Sequence, residues 1–136
     1  MVPMLGPVPY SREKNDYSTG LHFAFNLVSG DLDGTENQFF HQVSVTGPGT
    51  VTFTFSVKAK DPKAGANFTV TDLKGKFILT GFAVQVVDGG SQTVSKTVTL
   101  ANAQRIIILG QGIKPADNGG HGTYSVQLSG PATFVK

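Results

Sequence analysis

The segment from Asp31 to Asn37 holds a dense set of oxygen-bearing side chains. Four of its seven residues supply carboxylate or amide oxygens: Asp31, Asp33, Glu36 and Asn37. Calcium prefers such hard oxygen ligands, and Gly34 allows a sharp turn among them. The spacing is not that of an EF-hand, because no glutamate stands at the twelfth position of the loop. The segment therefore predicts a calcium site, and a solvated acidic turn that caps its own backbone is the alternative.

Part of the same segment, Asp31-Leu32-Asp33-Gly34-Thr35, resembles the first motif of haloacid-dehalogenase-like phosphatases. In that family one aspartate is the nucleophile and the second is a general acid, at the end of a buried parallel strand. Here Val28-Ser29-Gly30 precedes the motif, and no pattern of helices follows it in this short chain. We therefore interpret the match as accidental.

Other catalytic constellations are missing from the sequence. The chain has no cysteine, and no serine stands in a Gly-x-Ser-x-Gly elbow. His22, His41 and His121 are far apart, and their spacing does not predict a zinc site. We expect no catalytic residue, no enzyme activity, and no required cofactor, with calcium as the one candidate ion.

Two apolar features indicate contacts between subunits. Residues 1–19 contain three prolines in the first nine positions and then a polar stretch, which predicts an extended N-terminal arm. Phe39 and Phe40 are adjacent, so a strand must point them to opposite faces, and one ring is then exposed or covered from outside the sandwich. The predicted assembly interface comprises Met1, Met4, Leu5, Tyr10, Phe39 and Phe40. The alternative is that the second phenylalanine packs beneath the arm of its own domain.

The elements that must position these residues alternate with a period of two. In Thr50–Lys58, for example, Val51, Phe53, Phe55 and Val57 alternate with threonine and serine, which is typical of a half-buried strand. Short strands of this kind, separated by Gly, Pro and Asp turns, predict an all-β antiparallel sandwich of 8–10 strands, jelly-roll-like, over residues 20–136. The predicted strands are Leu21–Val28, Phe39–Thr46, Thr50–Lys58, Phe68–Leu73, Lys76–Thr80, Phe82–Val87, Thr93–Leu100, Gln104–Leu109, Thr123–Leu128 and Ala132–Val135, with Gly30–Asn37 and residues 110–122 as loops.

Composition excludes several classes of partner. Lys and Arg number 11 against 9 for Asp and Glu, a formal charge of +2 that is too small and too scattered to indicate nucleic acid binding. No apolar stretch approaches the roughly 18 residues needed to cross a bilayer, so no membrane insertion is expected. Charged residues are only 15% of the chain, which favours association with other surfaces.

Three groups of residues carry a resemblance to a known family. They are Ser29-Gly30-Asp31-Leu32-Asp33 with Phe39-Phe40 and Gly47-Pro48-Gly49, the run from Phe68 to Gly75, and the ending Gly122-Thr123-Tyr124-Ser125-Val126. Their order resembles that of bacterial pre-peptidase C-terminal domains, and the ending is similar to that of PEP-CTERM-type exported proteins. The resemblance covers about residues 29–130. It implies a jelly-roll-like accessory module, sometimes calcium-stabilised, that aids secretion, adhesion or binding without chemistry.

The sequence thus predicts a non-catalytic β-sandwich that works by contact. Our first hypothesis is a structural or adhesive subunit that self-associates into a homo-oligomer or larger assembly, such as a filament, a capsid decoration or a surface layer. The alternative is a secreted accessory module that binds polysaccharide or matrix. Both hypotheses place the protein outside the cell, on a cell surface or on a virion.

Overall fold

A computed structural model describes residues 18–33, 38–60, 63–74, 78–87, 90–113 and 121–135. These residues form ten strands and no helix. The strands are β1 (His22–Ala24), β2 (Leu27–Asp33), β3 (Gln38–Val45), β4 (Gly49–Ala59), β5 (Lys63–Asp72), β6 (Ile78–Val87), β7 (Ser91–Leu100), β8 (Gln104–Ile113), β9 (His121–Ser129) and β10 (Ala132–Val135). The predicted all-β class is confirmed. No helix of the described residues is long and apolar enough to cross a membrane.

The strands form two five-stranded sheets that pack face to face. Sheet A has the order β1-β2-β9-β4-β7, and sheet B has the order β10-β3-β8-β5-β6. Every pair of neighbouring strands is antiparallel. The predicted antiparallel β-sandwich is therefore confirmed, with ten strands in the described part of the chain.

Strand β4 shows how the sequence builds the core. Val51, Phe53, Phe55 and Val57 point inward and are fully buried, whereas the residues between them face outward. Burying each of these side chains contributes about 1.5–3 kcal/mol relative to leaving it in water. A shift of one residue in register would place all of them in solvent, so this face is strongly specified.

The first predicted strand, Leu21–Val28, was wrong. The structure has a turn at residues 25–26 between β1 and β2, so Phe23 and Val28 face the core. Leu21, Phe25 and Leu27 would share one face of a single strand with Phe23, but all three are exposed. Asn26 favours a turn, and the Asn26 carbonyl accepts a hydrogen bond from the backbone N–H of Leu128.

Two predicted loops contain strand. Gly30 to Asp33 continue β2 and pair along their length with β9, and β8 continues to Ile113. Residues 29–31 have the composition of a turn, which is why a loop was predicted. In the structure Gly30 lies within a strand, and its missing side chain leaves room for the ring of Tyr124. The predicted hairpin across Lys74 is confirmed, but its second arm, β6 (Ile78–Val87), continues through Gly81 and joins residues 78–80 of one predicted strand to the predicted Phe82–Val87.

Candidate ligand-binding site on the outer face of sheet A

Serine and threonine side chains make up much of the outer face of sheet A. Alternation along four neighbouring strands points serine and threonine side chains away from the core, and backbone pairing sets them side by side. They are Ser29 on β2, Thr123, Ser125 and Ser129 on β9, Thr50, Thr52, Thr54 and Ser56 on β4, and Ser91, Thr93, Ser95, Thr97 and Thr99 on β7.

Hydroxyls on β4 and β7 bond to one another. The Oγ1 atoms of Thr50 and Thr99 are 3.0 Å apart. Thr54 Oγ1 and Ser95 Oγ lie 3.2 Å apart, and Ser56 Oγ and Thr93 Oγ1 lie 2.9 Å apart. This half of the face has partly satisfied its own hydrogen-bonding capacity.

The other half of the face, on β1, β2 and β9, is different. Within the described ranges, the side chains of Ser29, Thr123 and Ser125 form no hydrogen bond with another protein group. Beside them lies a basin with a volume of about 390 Å³. Eight of the ten residues that line it carry polar side chains: the lining is Gly20, His22, Ser29, Gly30, Asp31, Ser56, Lys58, Thr123, Tyr124 and Ser125.

Strand register arranges the basin in two rows. Ser29, Ser125 and Ser56 lie opposite one another across three strands, and Asp31, Thr123 and Lys58 form the next row. Neighbouring strands are about 4.8 Å apart, so the backbones of Asp31 and Lys58 are separated by about 10 Å. In this row an acidic residue and a basic residue therefore flank a threonine, next to the row of three serines.

Asp31 is fixed by the segment that precedes β1. The backbone N–H of Asp31 donates a 2.8 Å hydrogen bond to the carbonyl of Thr19. Gly20 adopts a left-handed conformation with φ of 62°, and a Cβ at this position would overlap the Asp31 carboxylate. The left-handed conformation at this position favours glycine, and the Asp31 carboxylate occupies the space that a side chain there would take.

The floor of the basin is an aromatic stack that joins the two sheets. The ring of Tyr124 stacks on Phe39 with a centroid distance of 4.0 Å and an interplanar angle of 11°. Gly30 and Gly110 make room for these rings, because a Cβ at either position would collide with Tyr124 or Phe39. The Tyr124 hydroxyl lies 2.7 Å from Nε2 of the buried His41. The floor is thus packed and hydrogen-bonded, which holds the polar groups above it in place.

A second concavity continues the basin around the end of the sheet. Its volume is about 400 Å³, and it shares Asp31 and Thr123 with the basin. Lys60 and His121 line it as well. The region around Asp31 therefore offers both acceptors and cationic donors.

The predicted calcium ligands lie only partly within the described residues. Asp31 lines the basin, and Asp33 is the last residue of the same strand, β2. Glu36 and Asn37 lie outside the described residues. Among the residues that are described, no group of three His, Cys, Asp or Glu side chains could hold a metal. Calcium binding stays a prediction, which a calcium titration of thermal unfolding would test.

The three histidines take separate places. His22 lines the basin, His41 is buried beneath it, and His121 lies at the start of β9. His22 pairs in register with Ser29, yet in the described part of the chain no hydrogen bond joins the His22 side chain to Ser29 or Asp31.

The phenylalanines predicted for an assembly interface are both buried. Phe39 is 3% exposed and belongs to the core, and Phe40, on the opposite face of β3, is 7% exposed. Met1, Met4, Leu5 and Tyr10 lie outside the described residues, as does most of the 1–19 arm. A role of these residues in assembly stays a prediction.

Sequence reasoning missed most of the basin. His22, Lys58, Thr123 and Ser125 were not singled out as site residues, although they stand on predicted strands. Alternation already indicated that Lys58 and Ser56 point outward with the threonines of β4. The missing information was the strand order, which brings β2 and β4 to either side of β9.

Comparison with known proteins identifies the fold. No protein-family model matches the chain, and no curated protein is similar to it in sequence. A family 35 carbohydrate-binding module from an environmental isolate has a TM-score of 0.53 at 13% identity, over 88% of this chain and 84% of that chain. The structure of a module titled "CBM4 structure and function" has a TM-score of 0.49 at 13% identity, over 88% of this chain and 81% of that chain.

The predicted family resemblance is also found among solved structures. The pre-peptidase C-terminal domain of a collagenase from Bacillus anthracis has a TM-score of 0.48 at 11% identity, over 77% of this chain and 89% of that chain. That resemblance is weak. Identities this low show the fold alone, which is the β-sandwich also found in a carbohydrate-binding module of family 35.

Proposed function

We propose that this protein is a non-catalytic binding module that recognises a carbohydrate in the basin on sheet A. The observation that carries the proposal is the set of outward polar side chains around Asp31. In the described part of the chain, the side chains of Asp31, Lys58, Ser29, Thr123 and Ser125 form no hydrogen bond with another protein group. On the β4–β7 half of the face, three pairs of hydroxyls bond to one another, so less of that half is open to a ligand.

The chemistry of the basin matches that of sugar hydroxyls. A sugar hydroxyl both donates and accepts hydrogen bonds. Asp31 can only accept, Lys58 can only donate, and the serine and threonine hydroxyls do both. These groups stand on paired strands above a packed floor, so little conformational freedom is lost when a ligand binds.

The name of a similar structure supports the proposal without carrying it. The family 35 module that shares this fold is a carbohydrate-binding module by title. An extracellular setting and the lack of catalysis are parts of the proposal.

A carbohydrate array followed by calorimetry tests this function. We expect the intact chain to bind at least one glycan, and Asp31→Asn to weaken that binding by about 10-fold or more, because a hydrogen bond to a charged group contributes about 1.5–3 kcal/mol. Thr97→Ala, on the same face but outside the basin lining, is the control and should bind normally. An intact chain that binds no glycan, or equal binding by both variants, would contradict the proposal.

Self-association is the second candidate function. The observation that favours it is the exposure of Leu21, Phe25 and Leu27 around one hairpin, since exposed apolar groups mark contact surfaces. If copies associate there or through the N-terminal arm, light scattering should give a mass above the 14.3 kDa of one chain. Deleting residues 1–19 or changing Phe25 to Ser should then lower that mass. A monomer in every case removes this candidate.

A further inference from the structure

The hairpin of β1 and β2 presents large apolar side chains next to the basin. Phe25 is 71% exposed, Leu27 is 40% exposed and Leu21 is 37% exposed, and these are the large hydrophobic residues exposed in the described part of the chain. Exposure of this kind is unfavourable unless a partner covers it.

Phe25 is held in place by both sheets. Its backbone carbonyl accepts a 2.7 Å hydrogen bond from the N–H of Phe134 on β10 in sheet B. The carbonyl of the next residue, Asn26, accepts a 2.8 Å hydrogen bond from Leu128 on β9 in sheet A. The turn is therefore anchored on two sides, and it presents the Phe25 ring from a fixed backbone position.

Leu27 lies on the same outward row as the basin residues. Residues two apart on a strand face the same side, so Leu27, Ser29 and Asp31 follow one another along β2. Asp31 and Leu27 are four residues apart, a distance of about 13 Å along the strand. Ala24, which pairs with Leu27, immediately precedes Phe25 in the chain. The row of Leu27, Ser29 and Asp31 therefore runs from the apolar hairpin to the charged basin.

We propose that the ligand is a linear oligosaccharide that runs along β2 from the basin to the hairpin. This inference rests on the proposed function. A sugar ring has hydroxyls around its edge and an apolar face of C–H groups, so a chain of sugars needs both kinds of surface. The hydroxyls of one sugar bind Asp31 and the serines, while the C–H face of a sugar further along packs on Phe25 and Leu27. A single sugar is too short to contact both ends.

The test is the dependence of affinity on chain length. The probes are cello-, xylo- and laminari-oligosaccharides, each from the monosaccharide to the hexasaccharide, measured by calorimetry on the full chain. We expect affinity to rise with chain length. Phe25→Ala should lower the affinity for the hexasaccharide about 10-fold, because one aromatic contact with the sugar is lost. The monosaccharide should bind Phe25→Ala and the intact chain equally. In Phe25→Tyr the affinity should still rise with chain length, because the substitution keeps the aromatic ring.

The outcomes separate this inference from the proposed function. Suppose that Asp31→Asn abolishes binding, while Phe25→Ala leaves the affinity for every probe unchanged or lowers it equally at all lengths. The inference is then wrong, and carbohydrate binding in the basin remains supported. If the intact chain binds no probe, the proposed function fails and the inference fails with it. If the intact chain is a dimer and Phe25→Ala makes it a monomer, the hairpin is a contact between copies, and the inference is wrong. An unchanged melting temperature in Phe25→Ala would show that the variant is folded.

Discussion

The two halves of the outer face of sheet A have similar residues and different chemistry. On β4 and β7, three pairs of serine and threonine hydroxyls bond across the strands at 2.9–3.2 Å. On β2 and β9 the same residue types surround a basin, and the described side chains of Ser29, Thr123 and Ser125 are not bonded to the protein. Composition alone would not distinguish the two halves.

The difference comes from what stands opposite each hydroxyl. Thr54 faces Ser95 across the β4–β7 pair, so donor and acceptor meet. Asp31 and Lys58 instead face Thr123 from either side, and Gly20 leaves room for the Asp31 carboxylate. Charged side chains thus distinguish the basin from the half of the face where three hydroxyl pairs bond to one another. Ser56 belongs to both halves, because it bonds to Thr93 and also lines the basin.

The largest expected effect comes from breaking the floor of the basin. In Gly30→Ala the new methyl group would lie 2.6 Å from the Tyr124 hydroxyl, and the Tyr124 ring cannot retreat because it stacks on Phe39. We expect a loss of about 1–3 kcal/mol in the free energy of unfolding, as for other overpacked cores. Urea unfolding followed by circular dichroism measures it.

Gly47→Ala is the matched control for this change. A methyl group at Gly47 would meet no other part of the chain within 4 Å, so this substitution should alter stability by less than about 0.5 kcal/mol. Equal stabilities of the two variants would contradict the close packing of Gly30 on Tyr124. A stable Gly30→Ala variant that also binds ligand normally would show that the floor does not position the basin.

The fold was predictable from the sequence because its core strands alternate clearly. In β4, apolar and polar residues alternate without interruption, and burial follows that pattern. The β1–β2 hairpin was not predictable in the same way, since Leu21, Phe23, Phe25 and Leu27 alternate as a single strand would. No glycine or proline marks the turn, and tertiary hydrogen bonds to Phe25 and Asn26 hold it.

The candidate site was less predictable because it depends on pairs that are distant in sequence. Asp31 was singled out for its oxygen ligands, but Lys58 and Thr123 come beside it only through the order β2-β9-β4. Gly30 and Gly110 look like turn residues in the sequence, whereas the structure uses them to admit the rings of Tyr124 and Phe39. The sequence shows the chemistry of each residue, but it does not show which residues from distant strands lie beside it.

The smallest expected effects distinguish the two halves of the face directly. One conservative change in each half should have opposite effects on stability and on ligand affinity. Thr54→Val keeps the shape of the side chain and removes its bond to Ser95, so it should cost about 0.5–1 kcal/mol of stability without changing ligand affinity. Ser125→Ala removes a hydroxyl that is bonded to no described protein group, so stability should change by less than about 0.5 kcal/mol. Its affinity for a glycan should fall about 5-fold, because one neutral hydrogen bond contributes about 1 kcal/mol. Urea unfolding and calorimetry on both variants give the four values. If Ser125→Ala loses stability and keeps its affinity, the hydroxyls of β9 serve the sheet as those of β4 do, and the two halves of the face are alike.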